Sequence, residues 1–236
     1  MNKSRKMLGG VAEHMRGLGL GALRHAIWHA NYYSPYNEWW NELSVLQAAH
    51  AAEILIKARI AEVHPLLIFD QLPKVPIGPD QQLTFEHLSE NGKTIQFAEL
   101  PDRLWAAAGE RLPNIELYRK FGRLRNSIQH FAVPAGVEAG GEALRFIFEI
   151  VDPLINKCWG LYAIDFNEDD EPYQYLVEGL ARRGIRFLVS PEAADEFVQM
   201  GIAWPDNLPK YKQEMLRRFK VAMNRSRRGK SSSAKD

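Results

Sequence analysis

Residues 48–68 read AAHAAEILIKARIAEVHPLLI. The apolar side chains here follow helical rather than alternating spacing. Val45, Ala49, Ala52, Ile56, Ile60 and Val63 recur every three or four residues, and a second stripe of Leu46, His50, Ile54, Leu55 and Ala58 runs beside the first. Together they make the helix apolar over most of its circumference, so other helices must surround it. That places it in the middle of a helical bundle. The expected helix covers roughly 35–64, with Ser34 as its start signal and Pro35 at its first position. Glu53 is the intruder, interrupting the Ala49–Ile56–Ile60 stripe with a carboxylate. His50, on the second stripe, reads as a hydrogen-bonded core residue.

Moving outward, residues 1–19 are dotted with glycine, and a helix is expected from Leu20 through Ala30, with Leu23, Ala26, Ile27 and Ala30 on one face. The join NYYSPYNEWW is aromatic-rich. Residues 65–97 change character: Pro65, Pro73, Pro76, Gly78 and Pro79 interrupt regular structure, and Asn91-Gly92 between LTFEHL and KTIQFAEL signals a short hairpin. Helix resumes at about 100–110 and again from about 113, where Leu117, Phe121, Leu124, Ile128 and Phe131 form one stripe. A further helix is expected over 141–163, bent at Pro153. The acidic run Asp165 to Glu171 marks a boundary. Beyond it come a helix near 172–183, an extended piece at Ile185–Val189, a helix near 191–200 and a basic helix from about 208. The fold class is therefore all-α: an up-and-down helical bundle over residues 1–165, an interrupting loop or short hairpin at about 65–97, a helical C-terminal extension over 166–228 and a disordered basic tail at 229–236.

Bulk properties narrow the function classes. Hydrophobic residues make up 46% of the 236, enough for a sizeable core. The formal net charge is +1, but residues 210–236 hold ten Lys/Arg against two acidic residues, so that end carries a local +8 and the remainder about −7. Such an end suits nucleic acid or an acidic partner, and equally a solvated tail. Cys158 is the single cysteine, which leaves no intrachain disulfide and no cysteine zinc site. The first residues lack a secretory h-region and no apolar run approaches a bilayer's thickness, so a soluble, cytoplasmic protein without membrane contact is expected.

The chemistry concentrates in RNSIQH, residues 125–130. Arg125 follows Phe121 by four residues, at the edge of the apolar stripe, where its charge needs an anion or solvent. Asn126 and His130 are one turn apart on one face. If helices pack antiparallel, Glu53 can pair with Arg125 and fix its planar fork for a phosphate; Lys57, four residues after Glu53, is the competing local partner.

Arginine, a polar residue and then histidine at the end of a bundle helix, here R125-N126-x3-H130, resembles the HEPN superfamily (higher eukaryotes and prokaryotes nucleotide-binding). Residues 48–68, with Glu53 and Lys57, also look like the long helix of many bacterial members, and the likeness spans about residues 20–165. It implies a bundle of four to five helices that dimerises, two motifs meeting across the dimer cleft, and metal-independent endoribonuclease activity with no cofactor. Carried over, Arg125 and His130 are catalytic, Asn126 orients them and Glu53 supports Arg125. Some members that act as toxins carry a tyrosine two residues after the histidine, the target of a partner nucleotidyltransferase. Ala132 stands there, which weakens that pairing and favours other defence or stress roles, with or without an antitoxin or regulatory protein.

The physical chemistry agrees. RNA carries its own nucleophile, the 2′-hydroxyl. An imidazole titrating near ~6.5 can take and return its proton, a step worth ~10²–10⁴-fold. A guanidinium beside the phosphorane stabilises its developing charge. Other residues carry weaker signals. Lys57, Arg217, Arg218 and Lys220 are candidate RNA-backbone contacts, the last three on a helix that reads equally as a solvated amphipathic one. Tyr32, Tyr33, Tyr36, Trp39 and Trp40 can stack bases, or form core or dimer interface. His25 and His29 have metal-pair spacing but no evident third ligand. The alternative function is a non-catalytic module that binds nucleotide, RNA or protein, or a structural subunit of a larger defence complex.

Overall fold

A computed structural model describes residues 8–73, 84–167 and 172–233, with side chains omitted at 85 and 228–233. Pro76, Gly78, Pro79 and the acidic residues 168–171 of the sequence reading lie outside the described residues. The protein is predominantly helical, with one two-stranded sheet among the described residues. In chain order the elements are α1 (Val11–Asn31), α2 (Trp40–Val63), β1 (Phe69–Gln71), α3 (Phe85–Asn91), β2 (Lys93–Thr94), α4 (Leu100–Ala108), α5 (Ile115–His130), α6 (Ala139–Phe146), α7 (Asp152–Trp159), α8 (Tyr173–Arg182), α9 (Pro191–Glu196) and α10 (Pro209–Ser233). The chain forms two compact units, one of residues 1–21 and 50–112, the other of 22–49 and 113–236. Both α1 and α2 pass from one unit into the other.

In the first unit, the second half of α2 buries Ile54, Leu55, Ile56, Ala58, Ile60 and Ala61. This nearly all-round burial is what its lack of a polar face demands. The helix begins at Trp40, later than Ser34-Pro35 suggests, because residues 35–36 and 38–39 form turns first. The expected hairpin at Asn91-Gly92 does not form. Thr84 caps α3 by accepting a hydrogen bond from the His87 amide at 3.2 Å, and Gly92 ends the helix with its N–H on the Leu88 carbonyl at 2.9 Å. A Cβ on Gly92 would stand about 2.5 Å from the Phe69 ring and the Leu88 carbonyl oxygen. The glycine thus serves close packing rather than a hairpin turn. β2 pairs antiparallel with β1, Phe69 opposite Thr94 and Gln71 opposite Lys93. His50, expected in the core, is exposed.

In the second unit α5 packs against α6. Asn114 caps α5, its side chain accepting from the Leu117 amide at 3.0 Å. Leu117, Tyr118, Phe121 and Leu124 are buried, and Phe121 stacks on Phe146 of α6 with ring centroids 3.9 Å apart. The stripe ends sooner than its spacing suggests: Phe131 is 91% exposed, because the helix stops at His130 and Phe131 leaves it with a non-helical backbone. Asn114→Ala removes the cap of the helix that carries residues 125–130. It should cost ~0.5–2 kcal/mol, read as a lowered urea midpoint with an unchanged m-value.

Between α6 and α7 the chain takes a π-helical turn over Ile147–Val151, closed by the Asp152 amide on the Ile147 carbonyl. Pro153, next in line, has no N–H to give the α-helical ladder, and the wider turn absorbs that gap where a simple bend was expected. Gly179 of α8 and Gly140 of α6 permit two close approaches. A Cβ on Gly179 would collide with the Asn31 side chain, and one on Gly140 would stand 2.8 Å from the Ala30 carbonyl oxygen. Residues 185–189 take no regular secondary structure. α10 remains helical to Ser233, past position 229 where an irregular tail was expected; residues 234–236 are outside the described range.

Candidate functional site

Residues 125–130 form the last turn and a half of α5. The amides of Phe131 and Ala132 both donate to the Ser127 carbonyl, at 2.8 and 3.0 Å, and the Ser127 hydroxyl donates to the Ala132 carbonyl at 2.9 Å. These bonds end the helix directly behind His130 and leave its imidazole exposed. Asn126, one turn earlier, is also exposed. Arg125 is half-buried, and its Nη1 donates to the Asn126 side-chain oxygen at 3.0 Å. Asn126 therefore bears on the guanidinium directly. The connection 131–138 carries the chain from His130 to α6, where Gly140 lies against the Ala30 carbonyl and the Asn41 side chain. Those residues flank the aromatic join, in which Tyr33, Tyr36 and Trp39 are exposed at 84%, 97% and 61%. Tyr32 and Trp40 are engaged instead, Tyr32 with Trp28 at 4.3 Å and Trp40 edge-on to His29 at 4.0 Å between ring centroids.

Glu53 takes the local partner. Lys57 Nζ lies 2.7 Å from its carboxylate and donates also to the Thr94 hydroxyl at 3.2 Å. Lys57 is 6% exposed, so it presents no cation to an RNA backbone, and the reading of it as an RNA contact is corrected. Buried on an apolar helix, the ammonium needs both of those acceptors. The guanidinium of Arg125 is bonded to the Asn126 side chain.

On α10, Arg217 is held in a two-pronged pair with Glu214, at 2.8 and 3.0 Å, and Arg218 shares that carboxylate at 2.8 Å. Hydrogen bonds from Arg217 and then Arg218 hold Glu214 down at about 2. Arg218 Nη1 also donates to the Phe187 carbonyl at 2.7 Å, while Lys220 is exposed. His25 and His29 have ring centroids 6.0 Å apart. Among the described residues no group of three or more His, Cys, Asp or Glu side chains is placed to hold a metal ion, and no helix is long and apolar enough to cross a membrane.

Two features escaped the sequence reading. Asp152, fully buried, accepts from the amides of Ala163 and Leu188, each at 2.8 Å, and burial pushes its pKa up to about 7 despite those bonds. Its neighbour Asp165 accepts from the hydroxyls of Tyr173 at 3.0 Å and Ser190 at 2.5 Å, and burial raises its pKa too. One signal for Asp152 was present: a single carboxylate between Ile150-Val151 and Leu154-Ile155 interrupts an apolar run as Glu53 does. The second feature is a cation-lined hollow whose residues are scattered from Arg145 to Arg218; no local pattern announces it. Compared with family models, curated proteins and solved structures, the chain matches none.

Proposed function

We propose that this protein is a metal-independent endoribonuclease of HEPN type, acting as a homodimer whose two α5 ends share one cleft, in an up-and-down bundle of that kind. One observation carries the reading: His130 and Asn126 are exposed one turn apart at the end of α5, with Arg125 bonded to Asn126 beside them. A histidine sealed in apolar packing would be unable to reach a polynucleotide; this one opens to solvent.

The chemistry follows from the groups. His130 takes the proton of the ribose 2′-hydroxyl, whose oxygen attacks the adjacent phosphorus. Arg125 stabilises the charge that accumulates on the non-bridging oxygens, and the 5′-oxygen of the next nucleotide leaves as a hydroxyl once protonated. In the dimer so proposed, the second imidazole supplies that proton. The products are a 2′,3′-cyclic phosphate and a 5′-hydroxyl. Asn126 holds the guanidinium fork, Phe131 offers an exposed ring next to the site for a splayed base, and Lys220 adds a cation farther along the chain. The same exposure suits an antitoxin or regulatory protein that caps the cleft.

The test is cleavage of a single-stranded RNA in EDTA, with a matched RNA carrying one 2′-deoxy sugar at the mapped cut site. The expected result is cleavage of the first, a cyclic-phosphate end, and resistance of the second at that position. Cleavage that needs an added divalent cation, or that ignores the deoxy sugar, overturns the reading.

A further inference from the structure

In the second unit, α6, the α8–α9 connection and the start of α10 border an open hollow of about 860 Å³. That is the size of small-molecule sites, which typically span ~300–1,000 Å³. Five cations line it, Arg145, Arg183, Arg186, Lys210 and Arg218, against one carboxylate, Glu149. Three have partners: Arg145 lies 3.6 Å from Glu149, Arg183 pairs with Glu138 at 3.3 Å, and Arg218 is tied to Glu214 and the Phe187 carbonyl. Arg186 and Lys210 are exposed, and neither pairs with a carboxylate among the described residues.

Five cations converging from separate segments repel one another, and a concave site lined by one sign of charge concentrates counter-ions. The chain holds this arrangement rigidly: Tyr211 donates its hydroxyl to the Ile185 carbonyl at 2.9 Å, and Arg218 bonds to Phe187, so the two backbone segments bearing the cations are tied together. A guanidinium fork takes two oxygens of a phosphate or a carboxylate, and an anion with several phosphate groups has oxygens and charge enough to engage several such cations at once, as a chloride or a lone carboxylate does not. The five cations border one concavity, which suits a compact anion, whereas a nucleic-acid backbone is contacted along a longer track.

We propose that this hollow binds a small anion bearing two or more phosphate groups, with Arg186 and Lys210 as its principal contacts. The site is distinct from Arg125 and His130 and stands whether or not the ribonuclease reading holds.

The test is calorimetric titration of the full chain with inorganic tripolyphosphate, and in a parallel arm with ATP. Saturable one-to-one binding is expected. Arg186→Glu and Lys210→Glu should each weaken it by about tenfold or more, with unchanged thermal unfolding because both side chains are exposed. Lys212→Glu makes the same charge change at an exposed lysine of α10 that does not line the hollow; it should leave binding within about twofold of the original. Tighter binding of ATP than of tripolyphosphate assigns the apolar wall near Leu188 and Leu208 to a nucleoside, and equal binding assigns recognition to phosphate alone; both support the site. No saturable binding, or an equal loss in Lys212→Glu, overturns it. So does capture of a short single-stranded RNA, lost in Arg186→Glu, when tripolyphosphate does not bind.

Discussion

His130→Ala should slow RNA cleavage by ~10²–10⁴-fold, the usual contribution of a positioned general acid or base. The loss should fall on kcat with little change in KM, because an imidazole that moves a proton in the transition state adds little to ground-state binding. Folding should be nearly untouched. His130 is exposed on the last turn of α5 and Phe131 already terminates the helix through Ser127. Any stability cost is confined to the favourable placement of a histidine at a helix C-terminus, worth ~0.3–1 kcal/mol. Gln129→Ala, at the exposed neighbouring position, is the control and should retain full activity. Arg125→Lys separates charge from geometry: it keeps the cation but loses the planar fork that Asn126 holds, so most of the activity should go with it. An alanine variant at 130 that cleaves at the original rate would remove the imidazole from the chemistry altogether.

The helices were largely legible because their signal is local. α2 lacks a polar face and is buried nearly all round, and the stripe Leu117–Phe121–Leu124 marks the buried side of α5. Errors came where one tertiary contact outweighed a local pattern. Asn91-Gly92 has the composition of a hairpin turn, yet the Phe69 ring packs where a Cβ would stand, and the dipeptide ends a helix. Phe131 continues the stripe by number, but the helix has already ended. His50 sits among apolar neighbours in sequence and faces outward in space. For the site, the order Arg125, Asn126, His130 is readable from spacing alone, and so is the choice of partners open to Glu53. Which partner it takes is not, since a Lys57 four residues away and an arginine far along the chain are both chemically sound. The phosphate hollow was illegible for a plainer reason: Arg145, Arg186 and Lys210 converge only through the tertiary path of the chain.

Asp152→Ala should destabilise the second unit by ~1–4 kcal/mol, because it strands the buried amide of Ala163, at ~1–3 kcal/mol when unpaired, and the half-buried amide of Leu188, at less. Those donors, on Ala163 and Leu188, belong to a 3₁₀ turn and to the 185–189 connection, and Asp152 fastens both to the start of α7. The same carboxyl makes stability depend on pH. Burial raises its folded-state pKa from the ordinary 3.8 to about 7, so the folded chain binds this proton more tightly than the unfolded chain does. The stability so gained is fully present below the unfolded value and is lost as pH rises through about 7. Between pH 5 and pH 8 the loss should be roughly 3 kcal/mol, read as a falling urea midpoint. Asp165, raised by burial as well, pushes in the same direction. Asp152→Asn distinguishes the two. Its amide oxygen can accept one N–H, but its NH₂ meets the other donor head-on, whereas a neutral carboxylic acid keeps a lone pair for each. The asparagine variant should therefore be less stable at pH 5 yet lose less on going to pH 8, with Asp165 supplying the remaining slope. Parallel pH profiles for the two proteins would show that Asp152 does not titrate in this window, and that the amides of Ala163 and Leu188 hold it ionised throughout.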